Sequence, residues 1–193
     1  MTTYTKINIP NISLIQSQLA EWAIGLFKNT TKSGYRECTE QELRHYIPEL
    51  FEFFNEHNLI WQQGRFFYTE PNFITPIHID GDAAYPRLFA INLPVEGCKN
   101  TSMCWYNNVD LITDQSSDYS KFAIELSKNK NLRIFDSPNK KIIASTDLSF
   151  PILSRVDIPH NIINNTNYRR ITLSNRFYDE ENALTTLWNN LVS

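Results

Sequence analysis

The sequence predicts an α+β fold, mainly β, in which helices at both ends of the chain buttress a barrel or sandwich of antiparallel strands. Three observations predict it. Over residues 1–60 the apolar residues recur at helical spacing; from Trp61 the period shortens to two; near residue 180 helical spacing returns. The β region consists of short runs mostly bounded by Pro, Asn, Asp, Ser or Gly, a pattern that fits an antiparallel sandwich or barrel. At 193 residues the chain is long enough for one domain with a sizeable core. It reads as a single domain, residues 1–193: a helical buttress over 1–60, a β-barrel core over 61–178 and a closing helix over 179–193.

The elements follow in order. Ile12 to Phe27 places Leu14, Ile15, Leu19, Trp22, Ala23, Leu26 and Phe27 on a helical stripe, with Asn11 or Ser13 as cap. Thr39, with Glu42 three residues later, forms a capping box that opens a second helix through Tyr46. Pro48 breaks or kinks it, and a further turn or two runs through Glu49 to His57. The expected strands are Arg65–Thr69, Thr75–Asp80, Arg87–Pro94, Met103–Asn107, Lys121–Leu126, Leu132–Phe135, Lys141–Ser145, Ile152–Asp157 and Tyr168–Phe177. From Glu180 to Val192, Leu184, Leu187, Trp188, Leu191 and Val192 share one face of a closing amphipathic helix.

Composition narrows the function classes. Hydrophobic residues at 41% and charged residues at 20% argue against disorder and coiled coil. Aromatic content of 13% beside only 5 glycines favours strands packed on large side chains over glycine-rich nucleotide loops. A net charge of -3 gives no field that draws nucleic acid or anionic membrane. No apolar run approaches the roughly 18 residues of a membrane span, and residues 1–10 lack the basic-then-apolar order of a signal peptide. A soluble cytoplasmic protein is the expectation; oligomeric state is not legible. Cys38, Cys98 and Cys104, without C-x-x-C spacing, read as buried thiols in a reducing compartment. Cys98 and Cys104 flank a turn-like Lys99-Asn100-Thr101 and can pair if oxidised.

The chemistry concentrates at His78-Ile79-Asp80. Residues two apart on a strand point to one face, so an imidazole and a carboxylate project into the same interior. Burying both is costly unless a cation sits between them, and a divalent metal satisfies both. The other histidines are His45 and His57, in the helical region and expected to be partly exposed, and His160, eighty-two positions after His78. Two His and one carboxylate on one side of a metal make the facial triad of non-haem Fe(II) enzymes, which leaves three positions open. An H-x-D tripeptide alone is weak, because it arises often by chance.

Ten residues after His160 comes Arg170. The Asn164-Asn165-Thr166-Asn167 cluster reads as a hairpin that brings the strand of Arg170 antiparallel to the His160 segment. Arg170, Thr172, Ser174 and Arg176 alternate on one face of that strand, with Ile171, Leu173 and Phe177 on the other. A buried Arg needs an anion, and its planar fork suits a carboxylate; a surface Arg paired with Asp or Glu is the alternative. Arg169 competes for the role, since a one-residue shift swaps faces.

In these features the chain resembles the 2-oxoglutarate- and Fe(II)-dependent oxygenase superfamily, whose pattern is H-x-D, a distant H, then R some nine to fourteen residues on. Residues Thr75 to Gly81, Ala90 to Val95 and Val156 to Asn161 look like the flanks of these ligands in small prolyl-hydroxylase-like and aspartyl/asparaginyl-hydroxylase-like members. The resemblance covers roughly residues 60 to 178. It implies a double-stranded β-helix, a cupin-like jelly-roll barrel. It also implies Fe(II) on His78, Asp80 and His160, with the distal carboxylate of 2-oxoglutarate on Arg170 assisted by Thr172. Arg87 matches an arginine that contacts co-substrate or substrate in the aspartyl/asparaginyl-hydroxylase branch; a solvent-facing Arg at a strand start is the other reading. That branch typically lacks the Asp ligand, whereas Asp80 is present here. Asn92 reads as a pocket donor or a satisfied edge residue. Phe67, Tyr68, Tyr85, Trp105 and Tyr106 are pocket candidates against ordinary core, and Gly81 to Tyr85 reads as a loop over the mouth.

The implied reaction consumes O2 and 2-oxoglutarate, releases succinate and CO2, and hydroxylates a C–H bond of an amino-acid, peptide or small-metabolite substrate. The presence of Asp80 favours hydroxylation over halogenation. The rival readings are a cupin-like isomerase or dioxygenase without 2-oxoglutarate, and a barrel that binds a metal or ligand without turnover.

Overall fold

The computed structural model describes residues 2–81, 87–112, 133–178 and 182–192. In chain order the elements are β1 (Tyr4–Lys6), α1 (Ile12–Leu26), β2 (Gly34–Cys38), α2 (Glu40–Tyr46), α3 (Pro48–Glu56), β3 (Ile60–Thr69), β4 (Phe73–Ile74) and β5 (Ile77–Ile79). They continue with β6 (Phe89–Glu96), β7 (Thr101–Asn107), β8 (Asp110–Leu111), β9 (Arg133–Asp136), β10 (Lys141–Asp147), β11 (Ile152–Arg155), β12 (His160–Asn164), β13 (Arg170–Tyr178) and α4 (Ala183–Val192). One sheet runs β1-β11-β6-β13-β3-β2; the other runs β10-β7-β12-β5-β9-β8, with β4 also paired to β12. The two curled antiparallel sheets form a double-stranded β-helix. Among the described residues no helix is long and apolar enough to cross a membrane.

Period-two alternation decides what each sheet face meets. On β13, Ile171, Leu173 and Phe177 turn outward into the main core, which α1 joins through Ile15, Leu19 and Ala23, and α3 through Leu50, Phe51, Phe53 and Phe54. The opposite face of β13 is polar and turns toward the second sheet. There a smaller core of Ala90, Met103, Trp105, Leu148, Ile152 and Val156, drawn from both sheets, closes one part of the interior.

The helices follow their sequence signals. Thr39 Oγ1 accepts from the Glu42 N–H at 3.2 Å and Glu42 Oε2 accepts from the Thr39 N–H at 2.7 Å, so the capping box closes in both directions. Pro48 opens α3 as its first residue, where its missing N–H costs nothing. Asn11 precedes α1 with φ 55° and no side-chain cap bond, so it turns the chain without capping it.

Two expectations need correction. The first sixty residues are not wholly helical: β1 pairs with β11 and β2 with β3, as edge strands of the first sheet. Three and five residues are too few for alternation to stand out between helices. The hairpin expected from His160 to Arg170 is also absent. β12 pairs with β4, β5 and β7, whereas β13 pairs with β3 and β6, so the connection crosses from one sheet to the other. Buried Asn164 holds this corner: its Nδ2 donates to the carbonyls of Glu70 and Tyr168, both at 2.9 Å, and its Oδ1 accepts from the Thr166 hydroxyl at 2.7 Å. The expected strand Lys121–Leu126 lies outside the described residues.

Asn164→Ala removes the amide donor to the Glu70 carbonyl and leaves the Tyr168 carbonyl only the Thr166 hydroxyl, and is expected to lower stability by about 1 kcal/mol. Urea unfolding measures it, and a midpoint equal to the wild type contradicts the role of this side chain at the corner.

Candidate active site

β5 and β12 lie side by side with His78 directly opposite His160, which puts the ring centroids 4.6 Å apart. Asp80 follows β5, where its N–H donates to the Val156 carbonyl at 2.8 Å. Its Oδ1 stands 3.5 Å from His78 Nε2 and 3.8 Å from His160 Nε2, and the three donor atoms lie within 4.8 Å of one another. Each imidazole is set by its own backbone: His78 Nδ1 bonds the Pro76 carbonyl and His160 Nδ1 the Ile158 carbonyl, both at 2.8 Å. A carbonyl only accepts, so Nδ1 carries the proton and the Nε2 lone pair is presented to the cluster.

The charge states suit cation binding. Burial, followed by the neighbouring His78, pushes the His160 pKa down to about 4, leaving it neutral at neutral pH. Burial also pushes the Asp80 carboxyl upward, but Arg176, His160, His78 and Arg65 outweigh it and hold the group below its ordinary value. The result is a carboxylate beside the neutral imidazole of His160 and the Nε2 of His78, a donor set that can hold a divalent transition metal.

A cavity of about 340 Å³ opens between the sheets, with His78, Asp80 and His160 on one wall and Arg170, Thr172 and Arg176 on the other. Arg170 is 3% exposed. Its Nη1 reaches Thr69 Oγ1 at 3.4 Å, its Nε has no partner, and among the described residues no carboxylate pairs with it. The thiol of Cys98 sits beside it, and burial lowers the guanidinium pKa. Arg169 faces the other way: its Nε donates to both Glu96 oxygens, at 3.1 and 3.2 Å. The alternation on β13 therefore points Arg170, and not Arg169, into the cavity.

The remaining candidates divide. Arg87 lines the cavity and donates to Gln62 Oε1 at 2.9 Å; Asn92 lines it and donates to Ser154 Oγ at 2.9 Å. Phe67 lines it as well. Tyr68 is among the lining residues, yet its ring stacks on Phe27 at 5.5 Å in the helix-side core. Trp105 is a correction. It points inward on β7 but is fully buried under Tyr4, 5.5 Å away, with its Nε1 donating to the Arg155 carbonyl at 2.8 Å, and it does not line the cavity. Tyr106 is another, since alternation turns it to the outer face, where it packs with Ile77 and Cys104. Tyr85 lies outside the described residues. His45 and His57 are exposed, and the three cysteines are free and buried, so Cys98 and Cys104 do not pair. Arg176, whose Nη2 donates to Asp80 Oδ2, was not singled out by sequence reasoning, although its alternation with Arg170 placed it on this face.

No protein-family model matches the chain, and no curated protein matches it in sequence. Among solved structures, the non-heme alpha-ketoglutarate-dependent carbocyclase SnoK from nogalamycin biosynthesis is similar, with a TM-score of 0.51 at 10% identity over 89% of this chain and 77% of that one. A Pseudomonas putida prolyl-4-hydroxylase matches with a TM-score of 0.47 at 10% identity, covering 91% of each chain. The viral collagen prolyl hydroxylase of Paramecium bursaria Chlorella virus-1, solved with 2-oxoglutarate, matches with a TM-score of 0.46 at 14% identity over 90% of this chain and 94% of that one. The likeness to SnoK is one of fold: this chain shares a double-stranded β-helix with that protein.

Because His160 titrates lower in the fold than a free imidazole, the unfolded chain takes up a proton that the folded one refuses. Stability of the metal-free protein is therefore complete above pH 6.5 and falls as pH drops toward 4, below which this group adds no further loss. Urea midpoints in EDTA are expected to fall across that window, with a shallower slope in His160→Leu. A midpoint that holds steady, or an unchanged slope in the variant, contradicts the buried neutral imidazole.

Proposed function

We propose that the chain is a 2-oxoglutarate- and Fe(II)-dependent oxygenase that hydroxylates a C–H bond of an amino-acid, peptide or small-metabolite substrate. The observation that carries this reading is the buried Arg170, paired with no carboxylate among the described residues and facing the His78, Asp80 and His160 cluster across one cavity. A guanidinium out of water is costly until an anion joins it. A small dianion that reaches from the cluster to Arg170 satisfies both walls.

In this reading His78 Nε2, His160 Nε2 and Asp80 Oδ1 hold the iron, and the unpaired Arg170 Nε fits a carboxylate oxygen. Thr172, buried beside Arg170, adds a hydroxyl to the same carboxylate. When bound, Fe(II) would activate O2, the oxidant: 2-oxoglutarate would give two electrons and leave as succinate, which keeps one oxygen atom, and CO2, while the other oxygen atom would enter the substrate C–H bond. The protein fixes the co-substrate's orientation and keeps bulk water from the buried end of the cavity. Arg87 and Asn92, on the same cavity, are positioned to touch substrate or co-substrate. A cupin-like enzyme without 2-oxoglutarate leaves the buried charge of Arg170 unexplained.

Anaerobic addition of Fe(II) and 2-oxoglutarate is expected to produce a weak visible metal-to-ligand absorption band, lost in Asp80→Ala. Arg170→Ala should raise the 2-oxoglutarate concentration needed for the band by about two orders of magnitude, the cost of removing one partner of a buried charge pair. Arg169→Ala should leave it near the wild-type value. Absence of the band in the wild type, or the large shift in Arg169→Ala, contradicts the proposal. A succinate-release screen over free amino acids and prolyl and asparaginyl peptides then sorts the substrate classes.

A further inference from the structure

The three cluster residues are not held alike. Each imidazole is tied to a backbone carbonyl two residues before it. Among the described residues the Asp80 carboxylate has no such tether: its contacts there are the two imidazole Nε2 atoms and the guanidinium of Arg176, which comes from the opposite sheet. Asp80 and Arg176 side chains are 19% and 13% exposed, so the pair is largely shielded from water and is stronger than a surface ion pair. Arg176 sits six residues beyond Arg170 on β13, about 20 Å along the strand. The two arginines therefore do separate work.

The ion pair divides the carboxylate. Oδ2 is taken by Arg176 Nη2, while Oδ1 turns to both imidazoles. We infer that Arg176 is a positioning residue that keeps Asp80 a one-oxygen ligand; the inference rests on the metal-site reading above. Two imidazole nitrogens and one carboxylate oxygen leave three positions of a six-coordinate site, and a second Asp80 oxygen would consume one of them. Without Arg176 nothing in the described contacts stops the carboxylate from turning. Arg176→Lys retains a charged donor for Oδ2, whereas Arg176→Met and Arg176→Leu have nothing to donate to it.

Mn(II) titration of EDTA-treated protein, followed by electron paramagnetic resonance without 2-oxoglutarate, tests this. Arg176→Met is expected to weaken Mn(II) binding 10- to 100-fold, the usual cost of losing a group that orients a ligand. Arg176→Lys should recover most of it, and Arg170→Met should bind Mn(II) like the wild type. If Asp80→Ala also binds like the wild type, the metal-site reading fails. If Asp80→Ala is weakened while Arg176→Met is not, or if Arg176→Lys binds no tighter than Arg176→Met, the positioning role alone fails. Thermal melting in EDTA shows which variants fold; Arg176→Leu replaces Arg176→Met if the latter does not, with the same expected loss and the same contrary result.

Discussion

A full positive charge sealed inside a β-barrel, with no anion beside it among the described residues, is the constraint on which the rest of this structure depends. Arg170 is buried on the inner face of β13, and the groups around it are a hydroxyl and a thiol. An anion placed beside it would offset the cost of that arrangement. On the opposite wall two imidazole nitrogens and a carboxylate oxygen converge within 4.8 Å of one another, with the second carboxylate oxygen taken by Arg176. One wall presents a positive charge and the other a cluster of donor atoms.

The fold keeps the two walls apart and in register. His78 and His160 lie on one sheet, with Asp80 just past the end of β5, and Arg170, Thr172 and Arg176 lie on the other, so both sets meet in the interior between them. The five residues between β12 and β13 carry the chain across that interior, and Asn164 binds the corner to the end of β3 through the Glu70 carbonyl. The outer face of β13 is packed under the helices through Ile171, Leu173 and Phe177. That packing fixes which arginine of the Arg169-Arg170 pair points inward, because a slip of one residue would expose the apolar row.

Much of this was legible from residue order. The period of two along Arg170, Thr172, Ser174 and Arg176 is a local property, and local properties survive into the fold; so did the capping box at Thr39 and Glu42. The H-x-D spacing worked for the same reason, since one pleat separates its two side chains. What failed was non-local. The Asn-rich stretch before Arg170 has turn chemistry, but turn chemistry does not say which sheet receives the next strand. Trp105 shares the inward face with cavity residues and is covered only because Tyr4, a hundred positions away in sequence, stacks on it. The tie from Arg176 to Asp80 joins two sheets and ninety-six positions, and no spacing rule announces it.

The most direct measurement is a crystal structure of the protein soaked with Mn(II) and 2-oxoglutarate, with the metal located by its anomalous scattering. The account predicts one anomalous peak between His78 Nε2, His160 Nε2 and Asp80 Oδ1, and the distal carboxylate of 2-oxoglutarate within hydrogen-bond distance of Arg170. A peak elsewhere, or a co-substrate whose distal carboxylate avoids Arg170, would contradict it.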